Sequence, residues 1–171
     1  MLKKRMEDEL NKQINAEYWS AYFYLSMSAY CAGVGLAGAA NWMRVQYREE
    51  IAHALKFFDY VIERGGKVEL KPISEVPKEW NGIINVFEET LEHEQIVTSL
   101  INNLMDVAIE EKDHAAKSFL QWYVDEQVEE EANVKTIIDK LQMVEGKGNG
   151  LFMIDKDLAL RVFVDPTLPV N

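Results

Sequence analysis

The chain has 171 residues, 48% of them hydrophobic and 27% charged, which is the balance of one soluble globular domain (1–171) with a sizeable core. Eighteen Lys and Arg against 29 Asp and Glu leave a net charge of −11. This excludes a cationic nucleic-acid-binding face and favours the attraction of cations. The one cysteine, Cys31, can close no internal disulfide and build no multi-cysteine metal cluster, so nothing requires an oxidising compartment.

The N-terminus is basic through Lys3, Lys4 and Arg5, but Glu7, Asp8 and Glu9 stand where a signal peptide would be apolar. No run approaches the roughly 18 apolar residues of a membrane span, and the protein is expected to be cytoplasmic with no membrane partner. Prolines fall only at positions 72, 77, 166 and 169, leaving two long proline-free stretches. Gly33, Gly35 and Gly38 divide the first; Glu111, Lys112 and Asp113 divide the second. These breaks predict four long helices over about 4–32, 37–64, 82–111 and 114–145, each around 28 residues and about 42 Å long.

Short first and third connections make those helix pairs antiparallel neighbours. The longer segment, about 65–81, can cross the bundle's full length and make the second and third helices parallel. The expected fold is therefore all-α, a four-helix bundle with a long crossover. After Gly146, Gly148 and Gly150, the spacing of Leu151, Ile154, Leu158 and Val162 predicts a short fifth helix over about 151–164. So short a helix is marginal alone and is expected to pack against another subunit.

Each long helix carries a core stripe broken by acid. The stripes read Leu10, Ile14, Glu17, Ala21, Tyr24; then Ala39, Met43, Gln46, Glu50, His53, Phe57. They continue as Ile83, Phe87, Thr90, Glu94, Val97, Ile101, Leu104, Ala108; and Leu120, Tyr123, Gln127, Glu130, Val134, Ile137, Leu141. A single helical Glu is ordinarily solvated, but four at one level of four buried faces are not. An unpaired carboxylate in a core costs several kcal/mol even after relaxation. His53 is the one nitrogen base on these stripes, one turn from Glu50 on the same face. Divalent metal would supply the missing positive charge, and an oxygen-rich set with one imidazole and no thiolate suits redox iron or manganese better than structural zinc.

Taken together these residues resemble the prokaryotic non-haem ferritins, members of the ferritin-like di-iron bundles. The resemblance runs over nearly the whole chain. It is carried by Asn15, Ala16 and Glu17 with Ser20, Ala21, Tyr22, Tyr24 and Leu25; by Glu49 to His53; by Glu92, His93 and Glu94; and by 119–130. It implies that Glu17, Glu50 and His53 hold one iron, that Glu50 bridges to a second held with Glu94 and Glu130, and that Gln127 lies beside the pair. Glu49, Glu126 and Glu129 would form a third iron site with Glu130. Tyr24 and Trp122 match central aromatic residues that donate electrons or simply pack.

The departures are informative. Gln127-Val128-Glu129-Glu130 stands where bacterioferritins and many di-iron oxygenases have a second Glu-x-x-His. Ile51 replaces the haem-ligating Met of bacterioferritins, so no haem is expected. One cysteine cannot build the rubredoxin module of rubrerythrins. The resemblance implies a ferroxidase that oxidises Fe(II) with O2 or H2O2 and stores ferric oxide inside a shell of twenty-four subunits. Two other classes fit the stripes less well. They are a di-metal peroxidase or oxygenase acting on a small substrate, and a catalytically silent helical interaction protein.

Overall fold

The computed structural model describes residues 1–168. Five helices follow one another: α1 (Lys4–Gly33), α2 (Ala37–Glu63), α3 (Gly82–Glu110), α4 (His114–Met143) and α5 (Gly148–Leu158). No strand occurs among the described residues, and no helix is long and apolar enough to cross a membrane. The four long helices end within two residues of their expected limits. Every residue of the four stripes is buried.

The crossover over 64–81 is held by a ladder of α1 side chains. Asn11 donates to the Lys67 carbonyl at 2.9 Å and accepts from the Glu69 amide at 2.6 Å. Asn15 reaches the Lys71 carbonyl at 3.3 Å, Ser26 the Pro77 carbonyl at 2.6 Å, and Tyr30 the Trp80 carbonyl at 2.8 Å. The partners climb in step on both sides, so the crossover runs the length of α1. It delivers the chain to the end where α2 began, which makes α2 and α3 parallel. At the opposite end Arg64, just past α2, binds both oxygens of Asp113 at 3.1 and 2.9 Å. Asp113 also caps α4 by accepting from the Ala116 amide at 3.0 Å.

The apolar core is split. One cluster gathers Phe23, Tyr24, Met27, Met43, Phe87, Val134 and Leu141. The other gathers Leu10, Ile14, Phe57, Ile101, Leu104, Leu120 and Tyr123. Between them lies the level of Glu17, Glu50, Glu94 and Glu130, all buried.

The fifth helix departs from expectation in extent. It ends at Leu158 instead of about 164, and Val162 lies off it, 76% exposed. It packs on its own bundle: Leu158 is buried in the first cluster, with Leu151 and Ile154 half-buried against it. Asp155 accepts from the amides of Gly38 at 3.1 Å and Ala39 at 2.8 Å, placing a carboxylate on the open N-terminus of α2. The helix stops because Asn41 engages the carbonyls of Leu158, Ala159 and Arg161, the last at 2.9 Å, and draws the chain out along α2. Those contacts outweigh the propensity of a short helix entering Val162, Phe163 and Val164.

A Cβ at Gly38 would sit 1.6 Å from the Asp155 carbonyl oxygen. Gly38→Ala should therefore push α5 off α2 and cost about 1–3 kcal/mol, as overpacking does. Denaturant unfolding gives the cost, and amide exchange across 148–158 shows whether α5 has lifted. Wild-type stability would mean that the close approach relaxes freely.

Candidate metal centre

Glu17 on α1 and Glu50 and His53 on α2 each present one ligand atom within 4.8 Å of the others, and all three residues are buried. They meet because Glu50 and His53 are one helical turn apart and Glu17 faces them across the α1–α2 pair. The Nδ1 of His53 lies 3.8 Å from Glu50 Oε2, and its Nε2 lies 3.9 Å from Glu126 Oε1. Gln13, one turn before Glu17, donates to Glu17 Oε1 at 2.8 Å.

Glu94 and Glu130 close the level from α3 and α4. Tyr24 donates its hydroxyl to Glu94 Oε1. Gln127 donates to Glu94 Oε2 at 3.1 Å and to the Glu94 carbonyl at 3.2 Å. Gln46 donates to Glu130 Oε2 at 3.0 Å. Neutral donors thus orient the acids, while no Lys or Arg reaches Glu17, Glu50, Glu94 or Glu130 among the described residues. The Oε2 atoms of Glu17 and Glu50 and the Nε2 of His53 are buried without any partner. Buried polar atoms are nearly always satisfied, so the unmet oxygens of Glu17 and Glu50, on residues that with His53 bring ligand atoms within 4.8 Å of one another, fit a cation between them.

Electrostatics points the same way. Burial, then the charge of Glu50, pushes Glu17 well above the carboxylate range; burial, then Glu94, does the same to Glu50. Glu94 is pushed up to about 8 by burial and by Glu130, against the hydrogen bond from Tyr24. Burial, then Glu94, raises the Tyr24 hydroxyl well above its usual value.

The other expected residues lie further out. Glu49 and Glu126 are half-buried beside this level, and Glu129 is exposed. Burial raises Glu49 to about 7, opposed by Arg161, which binds its Oε2 at 2.6 Å. Burial also raises Glu126, opposed by His53. Trp122 packs edge-on to His53 at 5.5 Å, under the ammonium of Lys56 at 3.8 Å. Four contributors were not singled out from sequence. Gln13 and Gln46 stand one turn before acids of the site, which is a readable spacing. Thr98, which accepts from Gln127 at 3.3 Å, and Arg161 have no such mark.

Four antiparallel-paired helices with acids from each on one buried level define a ferritin-like domain, and the family model of that description matches residues 7–144. The chain belongs to the ferritin family, whose members store iron. It is 42% identical over 161 residues to a bacterial non-haem ferritin of Bacteroides fragilis, covering 94% of this chain and 100% of that protein. Its identity to the Escherichia coli bacterial non-haem ferritin is 40%, over 93% of this chain and 96% of that one. Among solved structures, an open-pore ferritin from the archaeon Archaeoglobus fulgidus superposes with a TM-score of 0.94 at 49% identity, covering 95% of this chain and 100% of that one.

A pH dependence of stability follows. Between the ordinary carboxylate value of 4.5 and about 8, the metal-free folded chain holds a proton at Glu94 that the unfolded chain has lost. The stability tied to it is fully present below about 4.5 and lost as pH rises through about 8. Calorimetry of chelator-treated protein should show Tm falling between pH 5 and 8.5, with a shallower fall in Glu94→Gln. A Tm that climbs over that range in the metal-free protein would contradict the assignment.

Proposed function

We propose that the protein is an iron-storage ferroxidase that oxidises Fe(II) at a paired site and holds the product as ferric oxide within a shell of its own copies. The observation that carries this reading is the set of buried acids with unmet ligand atoms and no protein counter-charge. Iron here is cargo. Glu17, Glu50 and His53 bind the first ion. Glu50 bridges to the second, which Glu94 and Glu130 complete while Gln127 orients Glu94.

Two Fe(II) ions release two electrons. O2 takes them with two protons to give H2O2, or H2O2 takes them with two protons to give two waters. Hard anionic oxygen favours Fe(III) over Fe(II), so the ligand set itself drives the oxidation. The raised carboxyls supply protons as cations replace them. Tyr24, hydrogen-bonded to Glu94, is the aromatic residue best placed to lend a further electron. Glu49, Glu126, Glu129 and Glu130 form a third iron position on the way out. The relatives' names support a non-haem, storage role, and the shell of twenty-four subunits in the cytoplasm is the family's arrangement carried to this chain.

Glu50→Ala tests the pairing directly. It removes a ligand from both ions and an unfavourable buried charge from the core, so assembly should persist. Outer partners of metal ligands are worth about 10–100-fold in activity, and loss of a bridging ligand should cost at least about 100-fold. Stopped-flow oxidation at two Fe(II) per subunit gives the rate. An undiminished rate would put the oxidation site elsewhere.

A further inference from the structure

Beyond α5 the chain lies along α2 as a strap. Its contacts climb that helix in order. The Arg161 carbonyl is held by Asn41, and the Phe163 ring lies under the Arg48 guanidinium at 4.1 Å. Asp165, Thr167 and Leu168 share a cavity of about 420 Å³ with Ala52, Lys56 and Asp59. Near its start, Arg161 turns inward. The guanidinium stacks on the Trp42 ring at 4.4 Å and donates from Nη2 to Glu49 Oε2 at 2.6 Å, in a largely buried pair.

This pairing has two unusual features. The second arm of the guanidinium, Nη1, is buried with no partner. An arginine placed purely for structure would have its donors met, because an unmet buried donor costs free energy. The charge of Glu49, together with the Trp42 ring, holds it there instead. Second, Glu49 belongs to a group of acids that faces an unpartnered, almost fully buried ligand atom: His53 Nε2 points at Glu126 Oε1, 3.9 Å away. Arg161 and Lys56 are the flexible cations facing the group, and Lys56 is engaged over Trp122.

We propose that Arg161 is a built-in counter-cation for the third iron position, so that the docked guanidinium and a cargo cation compete for the Glu49 carboxylate. The proposal rests on the reading of Glu49, Glu126, Glu129 and Glu130 as that position. A cation held at Glu49 Oε2 would stand where Nη2 now lies, 2.6 Å from that oxygen, and would repel the guanidinium, so filling the position undocks Arg161 and frees the strap. By reciprocity, docking of the strap weakens the position by the same factor. Arg161 thereby keeps the third position weaker than the pair, and its cargo moves on. Arg161 is a positioning residue, since it touches Glu49 and neither of the paired ions' ligand atoms.

The test titrates the assembled, metal-free full-length protein with Zn(II), which binds without oxidation, by calorimetry. Wild type, Arg161→Gln, Arg161→Lys and Glu49→Gln are compared, with hydrogen exchange of the 160–165 amides followed in parallel. In Arg161→Gln the third zinc should bind about 10-fold more tightly, within the ~5–150-fold span of ordinary coupling between sites. The first two zinc ions should be unchanged and Arg161→Lys near wild type. In wild type the third equivalent, and not the first two, should speed exchange of the strap. Equal third-zinc affinity in wild type and Arg161→Gln, with Glu49→Gln weaker, overturns the competition and leaves the third position standing. A third zinc indifferent to Glu49→Gln, or none at all, removes the third position and the proposal with it. Should Arg161→Gln fail to assemble, the exchange experiment on wild type decides: a strap equally protected before and after the third zinc overturns the proposal.

Discussion

Wherever water is excluded, carboxylate charge must be cancelled by protons or by cations, and this bundle excludes water from four carboxylates at a single level. Among the described residues no Lys or Arg is provided there, and the surrounding groups, Gln13, Tyr24, Gln46 and Gln127, are neutral donors that aim the acids without discharging them. The raised Glu17, Glu50 and Glu94 are what such a choice looks like when protons are the only compensation on offer. The level also interrupts the apolar core, which has to be built twice, once on each side.

Everything that fixes the helices serves this level. The crossover, laced to α1 from Asn11 to Tyr30, sets α3 parallel to α2 and so brings Glu94 to the height of Glu17 and Glu50. A slip of one turn, about 5.4 Å, would carry an acid into one of the apolar clusters. The Arg64–Asp113 pair at one end and the Asp155 cap on α2 at the other guard against that slip.

Most of this arrangement could be read before any coordinate. Helix period, the Gly and Pro breaks and the length of the second connection were enough for four helices and their topology, because each depends on local sequence. The acids Glu17, Glu50, Glu94 and Glu130 were visible as faults in otherwise apolar stripes. The path of the tail was not. Nothing local in Leu151 to Val164 says that helix should stop at Leu158, since the stop depends on Asn41, more than a hundred residues earlier. The same holds for Arg161, whose partner Glu49 is 112 positions away.

The bundle divides naturally along the crossover into two helical hairpins, α1 with α2 and α3 with α4. One carries Glu17, Glu50 and His53; the other carries Glu94, Gln127 and Glu130. Each hairpin is joined by a turn of only a few residues, whereas the two are joined by a strap of chain outside the core. The level of buried acids is thus the seam of the molecule, and an ion held from both sides would be a staple across it. Loss of such ions would loosen the contact between hairpins before it loosened either hairpin. A nick in the crossover would leave two pieces, each with half of the acids, that repel across the level until a cation lies between them.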